Sequence, residues 1–376
     1  PDLVNAIEAS HVPWIAVIEG VALGGGLELA LGCHARVAKP GLNLGLPEVT
    51  LGVVPGATGT QRLPRLIGLP AALDMISTGR PVKSEKALAL GLLDAISDNP
   101  ATTAAEMTIP DRPVISQLPP LEMDVTNDAA VGAARAQAAQ KRKGEIAPRV
   151  AIDLLTLSTV WPFEKAIAKE REEFIRLRNQ DQARALRHLF FAERAAGPPN
   201  NLRLQPAPNL TTIAVVGGGT MGAGIAYACL NIGLKVVLLE QDDAGAIRAK
   251  SNVEKIIKAS LSRGLIAEVG AELRRNNLTI SNDPNTATDA DLAIEAAFES
   301  MPAKKAIFAQ LENALRPDVP IATNTSYLDV NEIAASLRDP TRVLGLHFFA
   351  PAHIMKLLEI VEADETSDAA LAVGFA

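Results

Sequence analysis

The sequence predicts an α/β protein of two or three domains. Its 376 residues are too many for one ordinary core, since a domain has roughly 150 residues. Hydrophobic residues make up 48% of the chain, which is enough to form packed cores. From residue 211 onward, strand-like segments alternate with helix-like segments, and a glycine-rich turn follows the first strand. This alternation is typical of a mostly parallel sheet.

The charge balance excludes several classes of partner. The chain has 36 basic and 43 acidic residues, a net charge of −7, so nucleic acid is not an expected partner. A small basic patch for a phosphorylated ligand is still compatible with this balance. The most apolar stretch, residues 14–33, contains Glu19, Glu28 and five glycines. We therefore expect a buried strand, turn and helix there rather than a membrane span.

The cysteines and the chain ends give weaker information. Cys33 and Cys229 lie in different predicted domains, each within an apolar helical segment. We interpret them as buried, reduced thiols of a cytosolic type of compartment, and we expect no metal site. The chain begins at Pro1 without a basic leader and stops at Ala376 without a cap or polar tail. We therefore expect an internal piece of a longer protein.

Short elements are predicted in the first hundred residues. Residues 14–20 form an apolar, β-branched run ended by glycine, which predicts a buried strand. The glycines that follow lead into a helix at residues 27–32, and residues 35–38 predict another short strand. Further helices are predicted at residues 59–67, 71–77 and 84–92, the last with Ser84 and Gly91 at its cap positions.

A helical region follows a proline-rich connector. Prolines recur through residues 97–127, whereas residues 129–195 are rich in Ala, Leu, Arg and Glu. The later helix is predicted to run from about residue 162 to residue 196, where Gly197-Pro198-Pro199 stops it and a linker follows. We interpret its charges as a solvated face. The predicted domains are residues 1–100, 101–200 and 208–376.

The last part of the chain predicts a doubly wound sheet. Residues 212–216 form a strand, residues 221–231 a helix and residues 235–240 a second strand. Further strands are predicted at residues 291–296, 320–324, 343–347 and 355–361, mostly separated by helical segments. Parallel sheets of this type bind ligands at the carboxyl edge of their strands.

A glycine-rich turn predicts a dinucleotide site in this sheet. Gly217, Gly219 and Gly222 match G-x-G-x-x-G between a predicted strand and a predicted helix. The first glycine allows a tight turn, the second lets the backbone reach a pyrophosphate, and the third allows close packing at the helix N-terminus. Glu240 ends the next strand, where a carboxylate accepts a hydrogen bond from a ribose hydroxyl. The acid favours NAD over NADP, because it would repel a 2′-phosphate. The pattern therefore predicts a Rossmann-type, NAD-binding domain.

Two glutamates in the first hundred residues predict acid/base chemistry. Glu28 and Glu48 lie twenty residues apart, after a run of glycines whose backbone can approach a ligand closely. Burial and like charge push the pKa values of neighbouring carboxylates apart, so one takes a proton while the other gives one. For either glutamate alone, a solvated helix surface would be the simpler interpretation. Together they predict an acid/base pair beside an oxyanion site.

A histidine and a glutamate in the last part of the chain predict a second acid/base site. His347 lies in a strand-like segment, and Glu359 lies twelve residues later. If their strands are adjacent, the carboxylate orients the imidazole while the other ring nitrogen takes a proton from a hydroxyl. Taken alone, a histidine beside two phenylalanines would be interpreted as a core residue. Next to an NAD site, it predicts oxidation of an alcohol to a ketone.

Four segments of this region resemble the NAD-binding domain of the 3-hydroxyacyl-CoA dehydrogenases: residues 217–222, 293–299, 323–326 and 345–359. The resemblance implies that His347 is the general base, Glu359 its partner and Ser326 a hydroxyl contact to the substrate. The cofactor-binding residues that it implies are Gly217, Gly219, Thr220, Met221, Gly222, Glu240, Glu299, Lys304 and Asn324. Glu299 and Lys304 would flank the nicotinamide side of the pocket. Ala350 stands where the family commonly has Asn, which puts one polar contact in doubt.

Residues 13–95 in turn resemble the enoyl-CoA hydratase/isomerase (crotonase) family, built from repeated ββα units. The resemblance rests on residues 22–28, 46–48 and 55–62. It implies that Glu28 and Glu48 are the catalytic carboxylates and that the Gly25 N–H is one oxyanion donor to the thioester oxygen. It also implies that part of the crotonase-like domain precedes Pro1 and that a helical domain follows Ala376. Having both glutamates favours hydration, whereas a pure double-bond isomerase of this family usually manages with the one at position 48.

Together, the two resemblances are those of the multifunctional fatty-acid β-oxidation enzymes, most like the peroxisomal bifunctional type and its bacterial relatives. They imply acyl-CoA thioester substrates, hydration followed by NAD-dependent oxidation, and a peroxisomal location in a eukaryote or a cytoplasmic one in a bacterium. A thiolase partner or self-association is a further expectation. Two alternatives stay open at this point. The chain binds NAD and acyl-CoA without turnover, or it is an assembly region that contacts a partner subunit.

Overall fold

The computed structural model of the chain describes residues 1–111, 113–203 and 208–376, without the side chains of residues 200 and 203. The chain divides into two compact units, Pro1–Ala196 and Gly197–Ala376. In these described ranges, no helix is both long and apolar enough to cross a membrane. Helices and strands mix in both units, which confirms the predicted α/β class.

The first unit contains two small three-stranded sheets. Its strands are β1 (Ile15–Ile18), β2 (Ala22–Leu23), β3 (Ala35–Ala38), β4 (Asn43–Gly45), β5 (Val82–Lys83) and β6 (Ala95–Ile96). One sheet has the order β1-β3-β6 and is parallel throughout. In the other sheet, β4 pairs with β2 in parallel and with β5 antiparallel. β2, β4, β5 and β6 were not predicted, because two or three residues are too few to show a period of two.

Helices make up most of the first unit. They are α1 (Asp2–Glu8), α2 (Gly25–Leu31), α3 (Gly59–Ile67), α4 (Leu69–Thr78), α5 (Ser84–Ala89), α6 (Pro100–Glu106), α7 (Val125–Lys141), α8 (Ala147–Thr156), α9 (Phe163–Arg178) and α10 (Asp181–Ala195). α4 packs against α7 and α8, and their apolar side chains join one buried cluster with those of α2 and α3. The helices after residue 124 therefore share the core of the first hundred residues, while the predicted boundary at residue 100 stays a prediction.

Several elements of this unit differ from the prediction. The helix predicted from residue 162 to residue 196 is two helices, α9 and α10, because the backbone of Gln180 is extended and lets α10 turn to pack separately. α6 lies inside the predicted connector. Ser84 does not cap α5: Lys83 is the N-cap, and the buried Ser84 hydroxyl donates to the Lys39 carbonyl instead. Gly91, with φ of +79°, does follow the end of α5.

The cysteine prediction is correct in part. Cys33 and Cys229 are free thiols, but both are partly exposed, and Cys33 lies just beyond the end of α2 rather than within a helix. Burial raises the pKa of both thiols, that of Cys229 to about 11. A thiol with a raised pKa holds little thiolate at neutral pH, so neither cysteine is suited to nucleophilic chemistry.

The second unit is built on a seven-stranded sheet. Its strands are β7 (Thr212–Val216), β8 (Lys235–Leu239), β9 (Leu278–Ser281), β10 (Leu292–Glu295), β11 (Ile321–Thr323), β12 (Val343–Phe348) and β13 (Leu358–Glu362). Its helices are α11 (Asn200–Arg203), α12 (Thr220–Asn231), α13 (Asp243–Ser262), α14 (Glu268–Asn276), α15 (Met301–Ala314), α16 (Val330–Ala334) and α17 (Asp368–Phe375). α11 falls within the predicted linker, and residues 204–207 lie outside the described residues.

The strand order of this sheet shows where its ligand-binding edge lies. The order is β13-β12-β11-β10-β7-β8-β9, with every pair parallel except β12 and β13. The chain moves outward from β7 through β8 to β9, then returns to the other side of β7 and continues through β10 to β13. A buried apolar cluster covers each face of the sheet. The mostly parallel, doubly wound sheet is therefore confirmed, and its topological switch point lies beside the carboxyl end of β7.

One contact links α10 to the segment that carries Glu48. A short 3₁₀ turn, Glu48–Leu51, ends at Gly52, whose φ is +74°. A Cβ at Gly52 would lie 2.8 Å from the Cα of Ala183, a buried residue of α10. Only glycine fits this position without moving one of the two backbones.

We predict that Gly52→Ala lowers the free energy of unfolding of the first unit by roughly 2–4 kcal/mol, because the new methyl group adds overpacking to backbone strain. Gly41→Ala is the matched control. Its φ is +73°, but its Cβ would meet nothing within 4 Å, so a loss of about 1 kcal/mol is expected. Urea unfolding followed by tryptophan fluorescence reports this unit, since Trp14 and Trp161 both lie in it. Equal losses in the two variants would contradict the predicted contact.

Candidate active sites

Glu28 is fixed by two backbone donors. It lies on α2 with 3% of its surface exposed, and its Oε1 accepts hydrogen bonds from the N–H groups of Ala57 (2.7 Å) and Gly59 (2.8 Å). A buried carboxylate is stable only where donors replace its lost water. The two donors come from the turn that precedes α3. This turn therefore sets where the Glu28 carboxylate lies.

Glu48 lies beside the glycine-rich turn that starts α2. A Cβ at Gly24, which has φ of +57°, would lie 3.0 Å from Glu48 Oε1. The other oxygen, Oε2, is buried and has no hydrogen-bond partner in the part of the chain that the structure describes. A buried oxygen without a donor disfavours the ionised form. Glu48, which is partly buried, thus differs from the fully buried and donor-bound Glu28.

The electrostatics of the two glutamates follow from this difference. Burial raises the pKa of Glu48 to about 8, and the nearby Glu28 carboxylate raises it further. Burial also raises the pKa of Glu28, but the N–H groups of Gly59 and Ala57 oppose that shift. At neutral pH, the arrangement supports a protonated Glu48, while at Glu28 the two backbone N–H groups favour the ionised form against its burial. Such a pair can give one proton and take another.

Gly25, the predicted oxyanion donor, lies at the N-terminus of α2, and its role stays a prediction. It is the first residue of α2, so its N–H is among those that a helix leaves without an intrahelical acceptor. A Cβ at Gly25 or at Gly26 would meet nothing within 4 Å, so the space in front of this backbone is open. A ligand oxygen can therefore approach the free donor directly.

The dinucleotide turn of the second unit follows β7 at the switch point of the sheet. Gly217 has φ of +91°, and a Cβ at Gly222 would lie 1.7 Å from the Gly217 carbonyl oxygen. By contrast, a Cβ at Gly219 would meet nothing within 4 Å. Thr220 and Met221 begin α12 directly after it. The first and third glycines are thus required by the turn itself, whereas the second leaves open space where a pyrophosphate can approach the helix N-terminus.

A cavity of about 720 Å³ extends from this turn along the carboxyl ends of the strands. Its lining includes Gly217, Gly219 and Glu240, with Phe298 and Ile307 on the side of β10 and α15. Glu240 follows β8, and its Oε1 accepts a hydrogen bond from the N–H of Gly218. The carboxylate is therefore held at the edge of the cavity, where a ribose hydroxyl could donate to its other oxygen. The cavity and the glycine-rich turn together fit a dinucleotide.

Lys304 does not line this cavity, although the sequence places it with the cofactor-binding residues. It is 1% exposed, and its ammonium contacts Glu295 Oε2 at 2.8 Å and Glu299 Oε2 at 3.2 Å. Burial alone would raise the pKa of Glu299, but hydrogen bonds from Thr325 and Ser326 and the Lys304 charge hold that pKa below its ordinary value. In this structure Lys304 forms ion pairs with two carboxylates. A direct contact with the cofactor stays a prediction.

His347 and Glu359 lie on adjacent strands, as their predicted pairing requires. They are directly opposite each other in the antiparallel β12–β13 pair, and His347 Nδ1 lies 2.7 Å from Glu359 Oε2. The imidazole is therefore held by one nitrogen, with the other left for a substrate proton. The Asn324 side-chain oxygen accepts from the Phe348 N–H at 2.8 Å, which ties the loop after β11 to this end of β12. Ser326, in the same loop, is exposed.

Comparisons with known proteins give a family match for a region of each unit. Residues 1–144 match the family model described as enoyl-CoA hydratase/isomerase. Residues 212–376 match the model described as 3-hydroxyacyl-CoA dehydrogenase, NAD binding domain. The chain joins a hydratase/isomerase region to a dehydrogenase NAD-binding domain. The NAD-binding domain and the crotonase-type first region, both expected from the sequence, are thereby confirmed.

Several curated proteins have the same two regions in the same order. The peroxisomal bifunctional enzyme of Cavia porcellus is 38% identical over 98% of this chain and 52% of its own length. That of Danio rerio is 39% identical over 98% of this chain and 52% of its own length. A glyoxysomal fatty acid beta-oxidation multifunctional protein of Brassica napus is 37% identical over 97% and 52%, respectively. The chain thus spans about half the length of the curated relatives that it matches.

Two buried glutamates, one in each unit, were missed by sequence reasoning. Glu295, at the end of β10, is fully buried and accepts from the Ala297 N–H, the Thr323 hydroxyl and Lys304. Its position at a strand end was the available signal. Glu170 of α9 is also fully buried, so the interpretation of that helix's charges as a solvated face is wrong at this residue. Its neighbours Glu172 and Glu173 gave no indication of the difference, because a run of charged residues shows no period.

The hydratase region yields a prediction that does not depend on activity. The Glu48 carboxyl should titrate near pH 8, far above the ordinary value of 4.5. Infrared difference spectra of the wild type against Glu48→Gln, recorded from pH 5 to pH 10, isolate its protonated band. Glu28→Gln is the control. Removing the like charge should lower the pKa of Glu48 but leave it raised, because burial is the larger cause. If this protonated band is already lost when the pH is raised from 5 to 6, the prediction is contradicted.

Proposed function

We propose that the two regions catalyse successive steps of fatty-acid β-oxidation. The first hydrates a trans-2-enoyl-CoA to a 3-hydroxyacyl-CoA, and the second oxidises that product to a 3-oxoacyl-CoA with NAD. One observation carries the proposal. Glu28 accepts two backbone hydrogen bonds, whereas Glu48 has one oxygen without a donor among the described residues, and both lie beside the N-terminus of α2. The opposed His347 and Glu359 support the second step. The product of one site is the substrate of the other.

In the hydration step, the Glu28 carboxylate takes a proton from a water molecule whose oxygen bonds to C3 of the enoyl group. The electron pair of the double bond moves toward the thioester oxygen, which the Gly25 N–H stabilises. Protonated Glu48 then gives its proton to C2. The elements of water are thereby added across C2 and C3. The step gains most from donors that are fixed before charge develops on the oxygen.

In the oxidation step, His347 takes the proton of the substrate's 3-hydroxyl group. Glu359 holds the imidazole by Nδ1 and stabilises the charge that it gains. When NAD is bound, it would supply the acceptor for the hydride that leaves C3. Gly219 and the N-terminus of α12 would hold its pyrophosphate, Glu240 a ribose hydroxyl, and Ser326 the substrate. Ala350, directly after the His-Phe-Phe segment, has no polar side chain, so His347 must orient the hydroxyl without help from this position.

Three further properties are part of the proposal. Both glutamates are present, so hydration is the main reaction of the first region, with double-bond isomerisation as an accompanying activity. Acyl-CoA thioesters are the substrates, and a thiolase or a second copy of the chain is the partner to test. The location is the peroxisome in a eukaryotic cell, as the names of the Cavia porcellus and Danio rerio relatives state for those proteins, and the cytoplasm in a bacterium.

We predict that single substitutions separate the two activities in the protein encoded by the full reading frame. Glu28→Gln and Glu48→Gln should each lower the hydration rate by about 10²–10⁴-fold, because each removes one proton-transfer group. His347→Gln should lower NADH formation from a 3-hydroxyacyl-CoA to a similar extent and leave hydration unchanged. Hydration is followed by loss of the enoyl thioester absorbance, and oxidation by NADH absorbance.

The control for these variants is the opposite activity of the same preparation. It shows that the protein is folded and that its concentration is correct. Loss of both activities from either kind of substitution would refute the two-site proposal. Binding of NAD without any NADH formation in the wild type would favour a binding role over turnover. A partner role would show as an earlier elution in size-exclusion chromatography when a thiolase is added.

A further inference from the structure

Glu170 lies outside the region that matches the hydratase/isomerase family, yet it contacts the hydration site. The matching region ends at residue 144, whereas Glu170 is in α9 (Phe163–Arg178). Its side chain is fully buried in the first unit. Its Oε1 accepts from the Thr58 N–H at 2.6 Å, and its Oε2 accepts from the Thr60 N–H at 2.8 Å. The Thr60 hydroxyl donates to the same oxygen at 2.6 Å.

These donors alternate with those of Glu28 along one turn. The N–H groups of Ala57 and Gly59 point to Glu28, and those of Thr58 and Thr60 point to Glu170. Four consecutive backbone donors thus serve two buried carboxylates on opposite sides. If one carboxylate is removed, two of the four donors lose their acceptor and the turn is free to rotate. The position of Glu28 therefore depends on Glu170.

The turn is held in a conformation that it would not adopt alone. Thr58 has φ of +87°, a backbone conformation that a β-branched residue rarely adopts. Its hydroxyl accepts from Arg62 Nε at 2.9 Å, and Arg62 is paired with Glu8. A Cβ at Gly56 would lie 2.7 Å from the Phe174 ring, which belongs to α9 as Glu170 does. Such strain persists only where surrounding contacts enforce it.

We propose that Glu170 is a positioning residue of the hydration site, and that this site therefore extends into α9. Glu170 holds the N–H groups of Thr58 and Thr60, and this fixes the N–H groups of Ala57 and Gly59 on Glu28. It does not touch the substrate. The inference rests on the proposed hydration activity and adds to it a residue beyond the matching region.

The test is Glu170→Gln in the protein encoded by the full reading frame. Gln keeps the volume but can accept from only one of the two N–H groups with its single side-chain oxygen, so the turn relaxes. We expect the hydration kcat per folded molecule to fall at least tenfold, while NADH formation from a 3-hydroxyacyl-CoA is unchanged. The matched control is Glu172→Gln, two residues along α9. Its side chain is 65% exposed and pairs with Lys169, and its kcat should stay within twofold of the wild type.

A spectroscopic signature separates positioning from a merely structural role. The carboxylate band of Glu28 is isolated by infrared difference against Glu28→Gln, in the wild-type background and in the Glu170→Gln background. Weaker hydrogen bonds to Glu28 should move this band to higher frequency. A purely structural role would lower its intensity as folded protein is lost, without moving it. Amide hydrogen exchange of residues 55–62 should also become faster in Glu170→Gln.

Thr60→Val provides a second variant if Glu170→Gln does not fold. It keeps the shape and the N–H of residue 60 but removes the hydroxyl donor to Glu170, so a fall of at least threefold in the hydration kcat is expected. The inference is overturned if folded Glu170→Gln hydrates within twofold of the wild type, or if its kcat falls while the Glu28 band stays in place. A wild-type protein that does not hydrate at all would overturn the proposed function, and the inference with it.

Discussion

In both units of this protein, buried carboxyl groups require hydrogen-bond donors, and the surrounding structure depends on this requirement. Glu28, Glu170 and Glu295 lose nearly all contact with water. Burial raises the pKa of Glu28 and of Glu170, that of Glu170 to about 8, and hydrogen bonds or a cation must replace the lost water at each of the three carboxyl groups. Glu28 and Glu170 obtain backbone N–H groups from one turn. Glu295 obtains an ammonium, a hydroxyl and a backbone N–H. The donors to Glu28 and Glu170 come from the turn that leads into α3, and those to Glu295 come from α15, β11 and the loop after β10, so each carboxyl ties together the segments around a candidate site.

Much of the fold could be predicted from the sequence because the second unit follows regular rules. β7, α12 and β8 show clear periodicity around a glycine-rich turn, and the predicted strands from residue 291 onward are all present. β9 was missed because its four residues alternate weakly between apolar and polar side chains. The break between α9 and α10 was also missed, since neither glycine nor proline marks it. It depends on where the two helices pack, and tertiary contacts are not visible in a local pattern.

Some residues of the candidate sites could likewise be predicted from the sequence, and others could not. Glu28, Glu48, His347 and Glu359 could be named from motifs, because their chemistry requires particular residue types near glycine-rich turns or on neighbouring strands. Glu170 could not, because its partners Thr58 and Thr60 lie 112 and 110 residues away in the chain. Lys304 was named, but its burial was not foreseen. Its surroundings depend on how α15 packs against β10, and the sequence of either element alone does not show that.

The two units stabilise their buried carboxyl groups in different ways, and this difference agrees with the chemistry proposed for each. In the dehydrogenase domain, Lys304 forms ion pairs with both Glu295 and Glu299, so this cluster serves as a scaffold at the ends of β10 and β11. In the first unit, the described residues give Glu28, Glu48 and Glu170 no cationic side chain as an ion-pair partner. Backbone donors stabilise two of these carboxyls, and the third has one oxygen without any. Adding a negative charge at Glu48 is therefore costly, so its proton is retained near neutral pH and is available to a substrate carbon. A cation at this place would stabilise the ionised form and remove that proton, so the absence of a salt bridge is consistent with an acid at Glu48.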